Sequence, residues 1–213
     1  MTTPHDETLA SYAAGTLDAG IRLAVAAHLE AAPKSRARLA HFEAAAGAVL
    51  DDLPPTDLAN DALERLLARL DEPEPPPPAP IPVRHAARMP TDVRLPKALE
   101  GCSIGRWIWI GPGVRYSAIS IPGAPKANVG LVEVGPGRRM PDHGHGGNEI
   151  TYVISGGFSD ENGHYEAGDV CEADESLEHQ PVADPEGCLC IIAMDAPMRF
   201  KGLLGAVLKP FTG

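Results

Sequence analysis

Apolar residues recur every three or four positions through the first 72 residues, the spacing that lines one face of an α-helix. Leu9, Tyr12, Ala13 and Leu17 mark a first helix, which Gly15 loosens near its end. Asp18 stands as an N-cap before a second, whose face carries Ile21, Val25, His28 and Leu29. Ser35 is placed to cap a third helix bearing Leu39, Phe42, Ala46, Val49 and Leu50, and Pro54-Pro55 ends it. Thr56 or Asp57 starts a fourth with Leu63, Leu66, Leu67 and Leu70. These stripes are narrow and rich in alanine. A segment this short with so few large side chains builds a thin core, so it is expected to complete its packing against a partner.

From about residue 90 the periodicity shortens to β-like runs between Gly and Pro turns. They are RWIWIG (106–111), VRYSAISI (114–121), ANVGLVEV (127–134), EITYVIS (149–155), HYEAGDV (164–170) and CLCIIAM (188–194). Short strands in this order predict an antiparallel sandwich or barrel. Between the two patterns, seven of the ten residues 73–82 are proline. Such a run is neither helix nor inner strand and acts as a semi-rigid spacer, although it has the composition of a groove-docking peptide too. The expected division is a helical domain over 1–72, a linker over 73–89 and a β domain over 90–213.

Charge narrows the function. With 18 basic and 29 acidic residues among 213, the net charge is −11. A chain so acidic is repelled by phosphate backbones, which argues against direct nucleic-acid binding and for a partner with basic surfaces. No apolar stretch approaches a membrane span, and the N-terminal residues lack the basic start and apolar centre of a signal peptide. A soluble cytoplasmic protein is the expectation. Neither a dinucleotide fingerprint nor a phosphate-binding loop is present. Cys102, Cys171, Cys188 and Cys190 form no CxxC pair. Cys188 and Cys190 fall on one strand face, either as buried reduced thiols or as a redox pair near a metal.

The densest chemistry lies in PDHGHGGNEITYVISG, read as Gly137-x5-His143-x-His145-x3-Glu149-x6-Gly156. Residues two apart on a strand point the same way, so His143 and His145 reach one metal from one face. Glu149 follows the Gly146-Gly147 turn and folds back with a carboxylate. Farther on, Gly168-x5-Asp174-x-Ser176-x2-His179 offers a fourth ligand. Three imidazoles and a carboxylate suit Zn, Fe, Mn or Ni without choosing among them. His164 in a turn, Glu178 beside His179, and His85 beside the linker carry no comparable signal.

This double pattern resembles the two cupin motifs. The first is matched at every spacing; in the second, Asp174 and Ser176 stand where the family usually has Pro and Gly, and Ala183 where it often has Asn. The order of parts, with LASYAAGTL and AAHL before the linker and DAPMRF (195–200) and LKPF (208–211) after the cupin, is similar to the ChrR-type anti-sigma factors. The resemblance implies a multidomain α + β chain: a small helical bundle, a Pro-rich linker and a cupin, the double-stranded β-helix or jelly-roll-like barrel. It further implies that the helical domain wraps an extracytoplasmic-function sigma factor. The cupin would hold zinc through His143, His145, Glu149 and His179 and answer oxidative signals, and a homodimer through the cupin is left open.

The helical domain departs from that family, whose zinc motif there is His-x3-Cys-x2-Cys with one more His upstream. His28 stands at the His position and His5 near the upstream one, but Ala32 and Ser35 replace both Cys. Two neutral imidazoles do not make a tight structural zinc site, so no zinc is expected there. The domain folds without metal, or is a deliberately metal-free variant, or has lost its regulation. His28 reads either as a residual ligand or as a polar residue bonding the last carbonyls of its helix.

Two function classes follow. The first is an anti-sigma factor whose cupin event, at the metal or at Cys188 and Cys190, alters the contact between domains. The second is an iron-dependent cupin dioxygenase of the diketone-cleaving type. The regulator gives the helical domain a role, and the enzyme does not.

Overall fold

The computed structural model describes residues 1–73 and 93–200. The proline run from 74 onward, His85 and the LKPF ending lie outside them. Four helices come first: α1 Asp6–Ala13, α2 Ala19–Ala31, α3 Pro33–Asp51 and α4 Ala62–Leu70. Asp18 caps α2 as expected, its side chain accepting from the Gly20 amide at 2.8 Å. Ser35 does not cap α3. Pro33 takes the first helical position, where its missing N–H costs nothing, and Ser35 is buried inside the first turn. The fourth helix starts later than Thr56 or Asp57 because residues 53–60 run without helix from Leu53 through the two prolines.

A single-turn 3-10 helix, Lys97–Leu99, leads into eleven strands. They are β1 Ser103–Ile104, β2 Ile108–Gly111, β3 Val114–Ser120, β4 Asn128–Val134, β5 His143–His145, β6 Glu149–Asp160, β7 Gly163–Glu166, β8 Val170–Ala173, β9 Glu178–His179, β10 Val182–Met194 and β11 Met198–Phe200. Every pairing is antiparallel. The large sheet runs β1-β3-β4-β10-β6-β7, with β2 also on β3 and β8 also on β6; the small one runs β11-β5-β9. This is an antiparallel cupin-like barrel behind four helices, as the sequence predicts. The run 149–155 extends to Asp160, and 188–194 begins earlier, at Val182.

The central strands explain the continuous apolar sequence of CLCIIAM. Along β10, Cys188, Cys190, Ile192 and Met194 face the barrel interior with Val132, Val134 and Val153. Leu189, Ile191 and Ala193 face the other way, with Leu131, Ile150 and Tyr152. Alternation would leave that second face wet, but α2 covers it with Ile21, Ala24 and Val25. The alanines that make the stripe of α2 thin let the helix lie close on the sheet. The helical half therefore shares its core with the barrel, which the sequence alone did not indicate.

One glycine of the first motif is irreplaceable for steric reasons. Gly156 has φ +70°, and a Cβ there would lie 1.9 Å from the Gly187 carbonyl oxygen. Gly156→Ala is expected to destabilise the fold by about 3 kcal/mol, summing strain and overpacking. The midpoint of urea unfolding measures it, and an unchanged midpoint refutes it.

Candidate metal centre

The small sheet and the start of β6 bring four side chains together. Antiparallel pairing of β5 with β9 sets His143 opposite His179, and alternation along β5 puts His145 on the same side as His143. The turn at Gly146-Gly147 then delivers Glu149 at the first residue of β6. The first of its glycines is sterically required: a Cβ at Gly146 would stand 2.7 Å from the Pro197 carbonyl oxygen. One ligand atom from each of His143, His145, Glu149 and His179 lies within 4.8 Å of the others, and all four residues are buried.

Outer partners fix each ring. The Nδ1–H of His143 donates to the Pro141 carbonyl at 2.8 Å, that of His145 to the Leu177 carbonyl at 3.2 Å, and that of His179 to Asp160 Oδ2 at 2.8 Å. With Nδ1 spent as the donor, each neutral ring turns an Nε2 lone pair inward. The Nε2 atoms of His143 and His179 stand 3.2 Å apart, and Nε2 of His145 is 3.2 Å from Glu149 Oε2. Lone pairs and a carboxylate oxygen converge without a donor; His145 Nε2 and Glu149 Oε2 have no hydrogen-bond partner although both are buried. Such an arrangement is costly unless a cation sits among these atoms. The cluster fits a divalent metal, with imidazole and carboxylate as its donors.

Electrostatics agrees. In the metal-free chain, burial holds the His143 imidazole below its ordinary value. Burial also pulls on His145, but the Glu149 carboxylate, 3.2 Å from its Nε2, outweighs it and raises that imidazole. Burial pushes Glu149 up, yet His145, with the other two rings behind it, holds the carboxyl below the usual carboxylate range. Thr151 Oγ1 donates to Glu149 Oε1 at 3.1 Å and fixes the second oxygen.

Asp160 was not legible as part of this centre. It sits in the turn sequence Asp160-Glu161-Asn162-Gly163 and accepts from the amides of Asn162 and Gly163, which is what that sequence signals. The same carboxylate also orients His179, a contact across 19 residues that no local pattern shows.

Beside His143, Glu149 and His179 lies a cavity of about 40 Å³, walled by Val132, Met140, Phe158, Cys188, Cys190 and Ile192 among others. It has room for only a few waters. The two cysteines do line the cavity beside the cluster, and all four thiols are buried and free. Contact with Cys188, together with complete burial, holds Cys190 well above the ordinary thiol value, and burial pushes Cys171 up to about 12. Protonated thiols are poor nucleophiles. A thiol-reactive probe at neutral pH is expected to label the folded chain at least about 100-fold more slowly than the urea-unfolded chain; equal rates would contradict it.

The helical residues singled out for chemistry do not gather. His28 is fully buried and pairs with Ser35 Oγ (2.8 Å) and the Gly168 carbonyl (2.9 Å). The last carbonyls of α2 are instead met by Arg36, which reaches those of Leu29 and Glu30. His5 is engaged with Glu172 at 2.8 Å. His164, exposed, pairs with Ser159 Oγ at 3.0 Å on the β6–β7 hairpin.

Comparison with known proteins adds the following. A family model described as the ChrR cupin-like domain matches residues 101–197. The anti-sigma-E factor ChrR of Cereibacter sphaeroides is 36% identical over 215 aligned residues, covering 99% of either chain. In the crystal structure of Rhodobacter sphaeroides SigE in complex with the anti-sigma ChrR, the matched chain is 35% identical with a TM-score of 0.71, over 92% of this chain and 99% of that one.

Proposed function

Because the chain belongs to the ChrR family of anti-sigma factors, we propose that it sequesters a sigma factor of the extracytoplasmic-function class in the cytoplasm, under the control of a metal in its cupin. The observation that carries this reading is the full-length likeness to a ChrR chain solved with SigE. The surface of this chain supports it. Leu63, Leu66, Leu67 and Leu70 of α4 form an i, i+3, i+4, i+7 stripe that is wholly exposed, and Val49, Leu50, Leu53 and Leu58 are exposed beside it. Patches of that kind mark protein–protein contacts. Along the sequence Asp51, Asp52, Asp57, Asp61 and Glu64 outnumber Arg65 and Arg69 among these leucines, which suits a partner with basic faces. No helix among the described residues is long and apolar enough to cross a membrane.

His143, His145, Glu149 and His179 are the proposed ligands, and zinc is the proposed metal. As a closed-shell ion without redox chemistry, zinc would supply cross-linking of β5, β6 and β9 and a polarising charge in the barrel. Asp160, Pro141 and Leu177 would hold the three rings in the tautomer that binds it. The diketone-cleaving reading is not favoured, since it gives the helical half no role, and the cavity inside the barrel has room for only a few waters.

The test is co-purification of the tagged full chain with the sigma factors of its own host, with metal analysis on the same sample. A stoichiometric sigma factor with one zinc per chain is the expected result. Iron in the cupin with no sigma factor retained overturns the reading.

A further inference from the structure

Among the described residues, most polar contacts that the helical half makes with the barrel fall on one short stretch, 168–172. Thr2 Oγ1 donates to the Val170 carbonyl at 2.8 Å and accepts from its amide at 3.2 Å. The Thr2 amide donates to the carboxylate of Asp169, which is 3% exposed and also accepts from the Glu166 amide at 2.9 Å. The His5 amide reaches Glu172 Oε1 at 3.0 Å, and Thr8 Oγ1 reaches its Oε2 at 3.1 Å. His28 completes the row. Its Nδ1–H donates to the Gly168 carbonyl, which can only accept, so Nε2 must accept from the Ser35 hydroxyl on α3. Its ring meets Tyr152 edge-on at 5.9 Å.

The same stretch runs into the metal centre. In the pairing of β8 with β6, Val170 lies opposite Tyr152, Cys171 opposite Thr151, and Ala173 opposite Glu149. Thr151 holds the Glu149 carboxylate, and Tyr152 touches His28, so three residues of β6 separate the two sites. Apolar packing of α2 on the sheet is non-directional and tolerates small slides. The buried imidazole does not, because a shift of either partner leaves one of its nitrogens unpaired.

We propose that 168–172 is a clasp through which the cupin metal centre sets the register of the helical half, with His28 as the positioning residue that locks α2 and α3 to it. This rests on the anti-sigma reading only for its consequence, control of the partner-binding helices. Without the cation, Glu149 at the head of β6 and His145 on β5 rearrange, β8 follows through its ladder, and the clasp loosens.

Hydrogen–deuterium exchange on the full chain, zinc-loaded and chelator-stripped, tests it. Stripping is expected to speed amide exchange in α2 and the first half of α3 about tenfold. His28→Ala exchanges at the fast rate in both forms while still holding one zinc per chain, and His28→Gln, which keeps a donor and an acceptor, recovers part of the protection. Should His28→Ala lose its helices, Glu172→Gln serves instead: it weakens the rim and lowers protection of α1 and α2 a few-fold. Exchange of α2 and α3 that is identical with and without zinc overturns the clasp, as does a metal response that persists in full in His28→Ala. A chain that exchanges as expected but retains no sigma factor sinks the partner reading and leaves the clasp standing. A chain that takes up no metal sinks the clasp, whatever its retention of the sigma factor.

Discussion

Alanine at both His143 and His145 is expected to leave the purified chain without stoichiometric metal and with a melting temperature lower by about 10 °C. Each ring supplies an inward Nε2 held by a bond on its Nδ1, so losing two leaves one imidazole and one carboxylate, too few to retain the ion. A metal bound about a thousandfold above its dissociation constant adds about 4 kcal/mol to folding. In a chain of this length each kcal/mol moves the melting temperature by roughly 2–4 °C. The single replacement Asp160→Asn removes only the anion behind His179, and metal affinity should fall about 10- to 100-fold with the ion still countable at saturation. Elemental analysis and a thermal melt of the three proteins decide it; full metal in the double variant contradicts the ligand assignment.

Acidification should release the same metal, with a defined sign. Protons compete with the ion for the imidazoles. Glu149 raises the His145 value in the metal-free chain and burial lowers that of His143, so His145 takes a proton before His143 does as pH falls. In that chain the protonated His145–Glu149 pair adds stability that disappears as pH rises through the raised value of His145. Stabilisation by added metal should therefore grow with pH across neutrality. A melt series with and without zinc reads this slope, and a flat difference contradicts it.

The second large effect lies on α4. Leu66→Asp, and more so Leu63→Asp with Leu66→Asp, should abolish sigma-factor binding while leaving the melting temperature unchanged. Leu63 and Leu66 are 66% and 58% exposed, so a carboxylate there disturbs little in the free chain. In a complex, a buried leucine at the centre of an interface is worth about 2 kcal/mol or more, and a desolvated carboxylate adds its own penalty. A loss of at least about 100-fold in affinity is expected for the pair. Calorimetric titration of the cognate sigma factor into the two proteins measures it. Retained affinity would place the partner on another surface.

What the sequence showed and what it hid have separate physical origins. The cluster was readable because its residues sit at strand spacing, His143 and His145 two apart, and because short turns deliver Glu149 and His179 to the same side. Asp160 was hidden because a turn explained it already. His28 was misplaced for a stronger reason: its partner, Gly168, lies 140 residues away, and a carbonyl leaves no trace in side-chain pattern. Arg36 took the helix-end role assigned to it, as a long cation at the start of the following helix does readily. The barrel strands were found, yet the seven consecutive apolar residues of CLCIIAM held a message that alternation alone misses. A strand with no polar face is covered on both sides, and here the cover is α2.

That two-sided burial bears on how the molecule can be cut. Severing the chain at the proline run would give a barrel whose outer wall, with Leu131, Ile150, Leu189 and Ile191, is suddenly wet. Such a piece would seek a replacement lid in a second copy of itself and would precipitate or pair through that wall. The helices would fare no better, since Ile21, Ala24 and Val25 would lose the wall they rest on. For the same reason the intact chain should melt in one cooperative step rather than two, as a single folding unit whose two architectures happen to share an interior.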